Sequence, residues 1–219
     1  MGRAVRIVLR PIANPLPLGF LALAAGTLML SGLQLGWLAA SESRNLALVL
    51  IAFVFPLQLV ACVFGYLGRD VVAGTGMGVL AGTWLSIGLV ILTSAPGASS
   101  DALGLFLVVA GCAMVVPAAG ASTGKLIAFA VLATTALRFV LSGLYQLTSG
   151  SGWEDAAGAV GLALCALALY AAAAMTLEDA RRETLLPLLR RGPGRASLER
   201  GFDEQLAGIE HEAGVREQL

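Results

Sequence analysis

The sequence is short of charge. Of 219 residues, only 13% are Asp, Glu, Lys or Arg, about half the share of an ordinary soluble chain. The shortage is uneven: positions 11–177 hold nine charged residues, whereas positions 178–219 hold sixteen. A long segment with so few charges cannot present a wetted surface, which excludes a soluble enzyme. Net charge is zero and the isoelectric point is near 6.6, so nothing marks a nucleic-acid binder. Histidine occurs once, as His211 in the tail, which removes a histidine-based metal site or catalytic triad. The three cysteines, Cys62, Cys112 and Cys165, show neither metal spacing nor a loop-stapling pattern and read as small packing residues. A G-x-x-x-x-G-K-[ST] phosphate loop is missing, so the chain does not hydrolyse ATP itself. No cofactor is expected.

What the chain has is apolar length. Hydrophobic residues make up 58% and mean hydropathy is +0.84. Six apolar runs stand at about 17–40, 46–67, 71–94, 103–120, 125–148 and 156–177, each near the roughly 20 residues that cross a bilayer as a helix. Polar or Gly-rich breaks separate them: SESRN, GRD, SAPGASSD, GASTG and SGSGWED. Barrel strands would alternate apolar and polar residues, and these runs do not. The first run is too long for a cleaved signal peptide and has successors. The expected fold is all-α: a polytopic membrane protein of six transmembrane helices. A segment 1–16 precedes the transmembrane domain 17–177, and a tail 178–219 follows it. Arg3, Arg6, Arg10, Arg69, Lys125, Arg181, Arg182, Arg190 and Arg191 collect on one side, against Arg44 alone on the other. Basic residues stay cytoplasmic, which puts both termini inside.

The spans are rich in small residues, with 27 glycines in the chain. In lipid, such residues let helix backbones approach closely. Gly32 and Gly36 form a G-x-x-x-G pair, Gly78 and Gly82 share a face of the third span, and Gly158 and Gly161 do so in the sixth. These faces serve packing within one subunit, an interface between subunits, or, in the third span, a narrow pore. Pro56 and Pro117 each free a backbone carbonyl and bend their helix.

Arg138 is the strongest polar signal. It stands near the centre of the fifth span, where a charge is costly and points to function. Thr134 and Ser142 lie four residues to either side on one face, flanked by Thr135 and Tyr145. A guanidinium with hydroxyls and no neighbouring carboxylate suits a small organic anion. Alternatively Arg138 is structural, binding carbonyls freed at Pro56, reaching Gln58 or snorkelling to an interface. Weaker stripes run through Thr27, Ser31 and Gln34 and through Thr75, Thr83 and Ser86; with Gln58 they suit a mildly polar conduit. No Asp, Glu or His falls deep within a span, which disfavours a built-in proton relay. An intramembrane enzyme would need a catalytic pair, and none is present.

Ahead of the first span stands Asn14, Pro15, Leu16, Pro17, Leu18, Gly19, a rigid segment in which the prolines fix the backbone. The third span carries GTGMGVLAGTWLS, with Trp84 and Ser86. The last span ends with Tyr170, then Glu178 and Asp179, then TLLP at Thr184 to Pro187. In these three places the chain resembles the six-span acetate and succinate transporters of microbes, the GPR1/FUN34/YaaH type. The likeness runs over roughly positions 13–190. It implies a multi-pass protein of the bacterial inner membrane that assembles as a homo-oligomer, usually a hexamer. Each subunit would have its own path for acetate or a similar monocarboxylate, in some members succinate, with uptake linked to protons. It places Asn14, Pro15, Pro17 and Gly19 at the cytoplasmic side of the path and the run up to Trp84 along it. Where the family carries bulky aromatics at its constriction, this chain has Leu23 and Leu80. The implied partners are lipid, further copies of the chain, and small organic anions or acids. The competing reading is a non-transporting membrane scaffold or sensor. Its tail would recruit a cytoplasmic partner; positions 197–213, with Leu198, Phe202, Leu206 and Ile209, read as a short amphipathic helix that packs on a neighbouring subunit or is mostly disordered.

Overall fold

The computed structural model describes residues 12–181 and 183–190. Among these, six helices are long and apolar enough to cross a membrane: α1 Leu16–Gln34, α2 Ala40–Leu67, α3 Val71–Thr93, α4 Asp101–Ser122, α5 Leu126–Thr148 and α6 Ser151–Arg181. The protein is an all-α, six-span membrane protein. The basic anchor at Arg3, Arg6 and Arg10 and the amphipathic segment 197–213 lie outside the described residues.

Local chemistry sets the ends of these helices. Asp70 Oδ1 accepts the Ala73 N–H at 2.9 Å and Ser100 Oγ accepts the Leu103 N–H at 3.3 Å, so each caps the first turn that follows it. Ser149 turns left-handed, with φ 53°, to end α5. The α6 helix is longer than its apolar run because SGWED joins it. Glu154 in its first turn and Arg181 in its last both complement the helix dipole.

The α2 span is not uniform. It opens with a 3₁₀ turn, Ala40–Glu42, and continues as α-helix over Ser43–Val49. It then widens to a π turn at Leu50–Val54 and resumes as α-helix over Phe55–Leu67. Pro56 has no N–H and its ring crowds the carbonyl four residues back. Opening the ladder by one residue just before it relieves both problems, so the expected bend takes the form of a π turn. Pro117 sits inside α4 without interrupting it.

Each helix packs on the next in sequence, and α6 returns onto α1, closing a ring. The α4–α5 seam is a close backbone approach. A Cβ on Gly143 would lie 2.8 Å from the Gly104 carbonyl, and one on Gly111 2.9 Å from the Ala136 carbonyl. The glycine pairs anticipated from spacing behave differently. Gly32 and Gly36 do not share a helix face, because α1 ends at Gln34 and Gly36 is exposed in the left-handed region at φ 71°. The chain reverses there, and the Trp37 and Leu38 N–H groups both return to the Gly32 carbonyl, at 2.8 and 3.0 Å, as helix C-caps do. A Cβ on Gly78 would meet only Cys62 Sγ, and one on Gly82 would meet nothing within 4 Å. Gly158, by contrast, packs on Leu35.

Residues 183–190 double back beneath the ring. Tyr170 donates its hydroxyl to the Pro187 carbonyl at 2.9 Å, and Arg190 Nη2 donates to Glu178 Oε2 at 2.7 Å. Leu188 is buried, and the Arg190 backbone pairs antiparallel with Lys125. Tyr170, Glu178 and TLLP, successive along the chain, thus form one latch with Arg190. On the outside, Leu21, Leu28, Phe53, Val63, Val109 and Val116 are exposed, an apolar girdle suited to lipid or to further subunits.

Candidate functional site: two chambers and a tryptophan neck

The interior of the ring holds a chamber at each end. The near chamber opens beside Leu16, Asp70 and residues 123–125; Asn14, Pro15, Pro17 and Gly19 are not among its lining residues. It has a volume of about 200 Å³ and is walled by Leu16, Phe20, Met77, Ala128 and Leu132 among others. Lys125 Nζ and Asp70 Oδ2 form an ion pair at 3.4 Å on its rim. Asn14 is exposed and folds over the helix start, its Oδ1 accepting the Leu16 N–H at 3.1 Å. Pro15 and Pro17 are half-buried in the first turn. Gly19 is buried because a Cβ there would run into the Met77 sulfur. Its carbonyl accepts from Gln58 Nε2 at 3.2 Å. Gln58 therefore stitches α1 to α2 and is not a partner of Arg138.

The neck follows. On α1, α3 and α5 the near chamber ends at Phe20, Met77 and Leu132, and the far chamber begins at Leu30, Ile87 and Arg138. Between these limits Leu23, Leu80, Trp84 and Thr135 are completely buried. Trp84 reaches Gly26 on α1 and meets the Phe139 ring edge-to-face, with centroids 6.4 Å apart. The Gly19–Met77 and Gly26–Trp84 contacts share one register, which sets Leu23 level with Leu80. The indole N–H of Trp84 is buried and without a partner among the described residues.

The far chamber has a volume of about 300 Å³. Arg138 and Ser142 line it from α5 and Gln34 from α1, with Ser43 from α2 and Glu154 from α6. Arg138 is 0% exposed. Its Nη1 donates to Ser31 Oγ at 2.7 Å and to the Ala157 carbonyl at 3.5 Å, and its Nη2 donates to Gln34 Oε1 at 3.3 Å. All three acceptors are neutral. Gly161 makes this possible: a Cβ there would coincide with the guanidinium and strike the Ser31 hydroxyl. Thr134 is half-buried and lines neither chamber. Its neighbour Thr135 returns its hydroxyl to the Val131 carbonyl at 2.8 Å.

No carboxylate pairs with Arg138 among the described residues. Glu154 lines the same chamber, because α6 begins early enough to make its residue helical, and it faces the Tyr145 hydroxyl rather than Arg138. Sequence reading puts Glu154 at a span edge or in a loop, because SGSGWED reads as a break between spans. The three acceptors around Arg138 belong to α1 and α6, and periodicity does not say which helices oppose each other.

A closed ring of six membrane-crossing helices, divided by an aromatic neck into two chambers, defines a polytopic α-helical membrane protein with a partitioned interior. The chain belongs to the GPR1/FUN34/yaaH family, whose model matches residues 2–188. The fold is similar to that of the bacterial acetate channel SatP, with a TM-score of 0.71 at 23% identity over 81% of this chain and 99% of that one. No curated protein sequence matches the chain significantly.

Proposed function

We propose that each subunit passes small monocarboxylates of the acetate type between the two chambers through the Trp84 neck. The observation that carries this reading is Arg138, a wholly buried cation in the wall of the far chamber whose hydrogen bonds all go to neutral groups. A buried charge without a counter-ion is costly in a bilayer, by roughly 2.5–3.5 kcal/mol on insertion scales, and an arriving carboxylate supplies the counter-ion. A guanidinium has five N–H donors and only three bonds engage them here, so donors remain for the anion. The Trp84 N–H offers a further donor in the neck. Family membership and the likeness to an acetate channel support the same substrate class.

On this reading the protein sits in the bacterial inner membrane as a homo-oligomer, a hexamer, with both termini cytoplasmic. The near chamber then faces the cytoplasm, with Asn14, Pro15, Pro17 and Gly19 flanking Leu16 at its mouth. Leu23 and Leu80 narrow the path beside Trp84. The substrate crosses the neck as the undissociated acid, since no carboxylate or histidine among the described residues occupies it, and releases its proton to water in the far chamber when its carboxylate meets Arg138.

The test is uptake of labelled acetate into proteoliposomes. The intact protein is expected to transport it, and Arg138→Gln to lower uptake about 10- to 100-fold, the value of one charge-assisted hydrogen bond. Circular dichroism of the variant confirms its fold. An intact protein that moves no short acid at any pH overturns the reading.

A further inference from the structure

The far chamber is larger than acetate alone requires, and its mostly apolar wall carries several polar groups. At about 300 Å³ it has room for roughly ten water-sized groups, and its polar groups extend beyond Arg138. Two serines in its wall are unusual. Most span hydroxyls return to a carbonyl one turn back, as side chains in apolar helices usually do. Thr27, Thr83, Ser86, Thr135, Thr148 and Thr176 all do so. Ser142 and Ser43 do not. They are 5% and 4% exposed, both line the far chamber, and neither hydroxyl has a hydrogen-bond partner among the described residues. A buried hydroxyl without a partner forfeits a hydrogen bond for nothing unless a ligand supplies one.

Ser142 stands one helical turn beyond Arg138 on the same face of α5. Ser43 belongs to α2, which lies across the ring from α5. The chamber therefore presents a cation, a hydroxyl a few ångströms along the same wall, and a second hydroxyl opposite. Glu154 near Tyr145 adds a negative charge to that space, which repels a second carboxylate on the ligand.

We propose that the far chamber recognises short hydroxycarboxylates, with the carboxylate on Arg138 and the ligand hydroxyl on Ser142, and with Ser43 closing the opposite side. The proposal rests on the transport reading and narrows its substrate class to monoanions of the glycolate and lactate kind. A site built to bond a substrate hydroxyl discriminates strongly against the analogue that lacks it.

Two measurements on the full-length protein test this. In proteoliposomes, unlabelled lactate and propionate compete with labelled acetate; they differ mainly by one hydroxyl. Lactate is expected to half-inhibit at a concentration about tenfold lower than propionate, and succinate to compete worst. Ser142→Ala and Ser43→Ala should each bring the lactate-to-propionate ratio towards one. Acetate uptake in which the two competitors act equally overturns the hydroxyl site and leaves the transport reading standing. A preference that survives both serine variants overturns it as well. Calorimetric titration of the detergent-purified protein with the same two acids separates the readings. Serine-dependent lactate binding without any uptake keeps the site and sinks the transport reading.

Discussion

At the scale of single residues, Arg138 and Gly161 behave as one unit. The guanidinium occupies the volume where a side chain at 161 would begin. Gly161→Ala is expected to destabilise the protein by about 1–3 kcal/mol through overpacking, read as a lower unfolding temperature in detergent. Adding Arg138→Met should recover most of that loss, because Met lacks the bulk at the guanidinium position. The double-mutant cycle would then show a coupling that independent sites lack. The sequence revealed half of this unit. A lone charge in an apolar run stands out, and so does the Thr27, Ser31, Gln34 stripe. That Ser31 and Gln34 meet Arg138 depends on how three separate helices pack, which side-chain periodicity does not encode.

At the scale of elements, the six spans were legible because bilayer thickness demands long apolar runs with polar breaks. The interruptions within them were less so. Pro56 announced a distortion but not that Leu50–Val54 would widen into a π turn. The spacing of Gly32 and Gly36 mimicked a packing face because Gly36, which ends α1 as a left-handed cap residue, also fits a G-x-x-x-G pattern when the span is read as continuing past it. The neck is where α1, α3 and α5 meet, and Trp84 fills it. Trp84→Ala is expected to cost about 3–5 kcal/mol of stability, as large core truncations do, and to raise carboxylate flux by widening the neck. Stopped-flow acidification of dye-loaded proteoliposomes reads that flux. The latch makes a separate prediction. Tyr170→Phe removes the bond to the Pro187 carbonyl, worth about 1 kcal/mol. Amide exchange over 183–190 should quicken while the spans stay protected.

At the scale of the whole molecule, the ring closes on itself and leaves an apolar girdle outside. Gly82 belongs to that outer surface, with nothing of its own subunit within 4 Å of a Cβ there. If the proposed hexamer packs through this face, Gly82→Leu leaves the subunit folded but weakens the assembly, shifting its mass distribution downwards in native mass spectrometry. The unit formed by Gly161 and Arg138 also constrains the order of events by which such a chamber arose. With any Cβ at 161, an arginine entering α5 has nowhere to lie. A glycine entering α6 opposite an apolar residue leaves only a small void. On steric grounds the glycine is expected to precede the arginine. Related chains that carry arginine at this depth of the fifth span should carry glycine opposite it, while chains with glycine alone preserve the intermediate step.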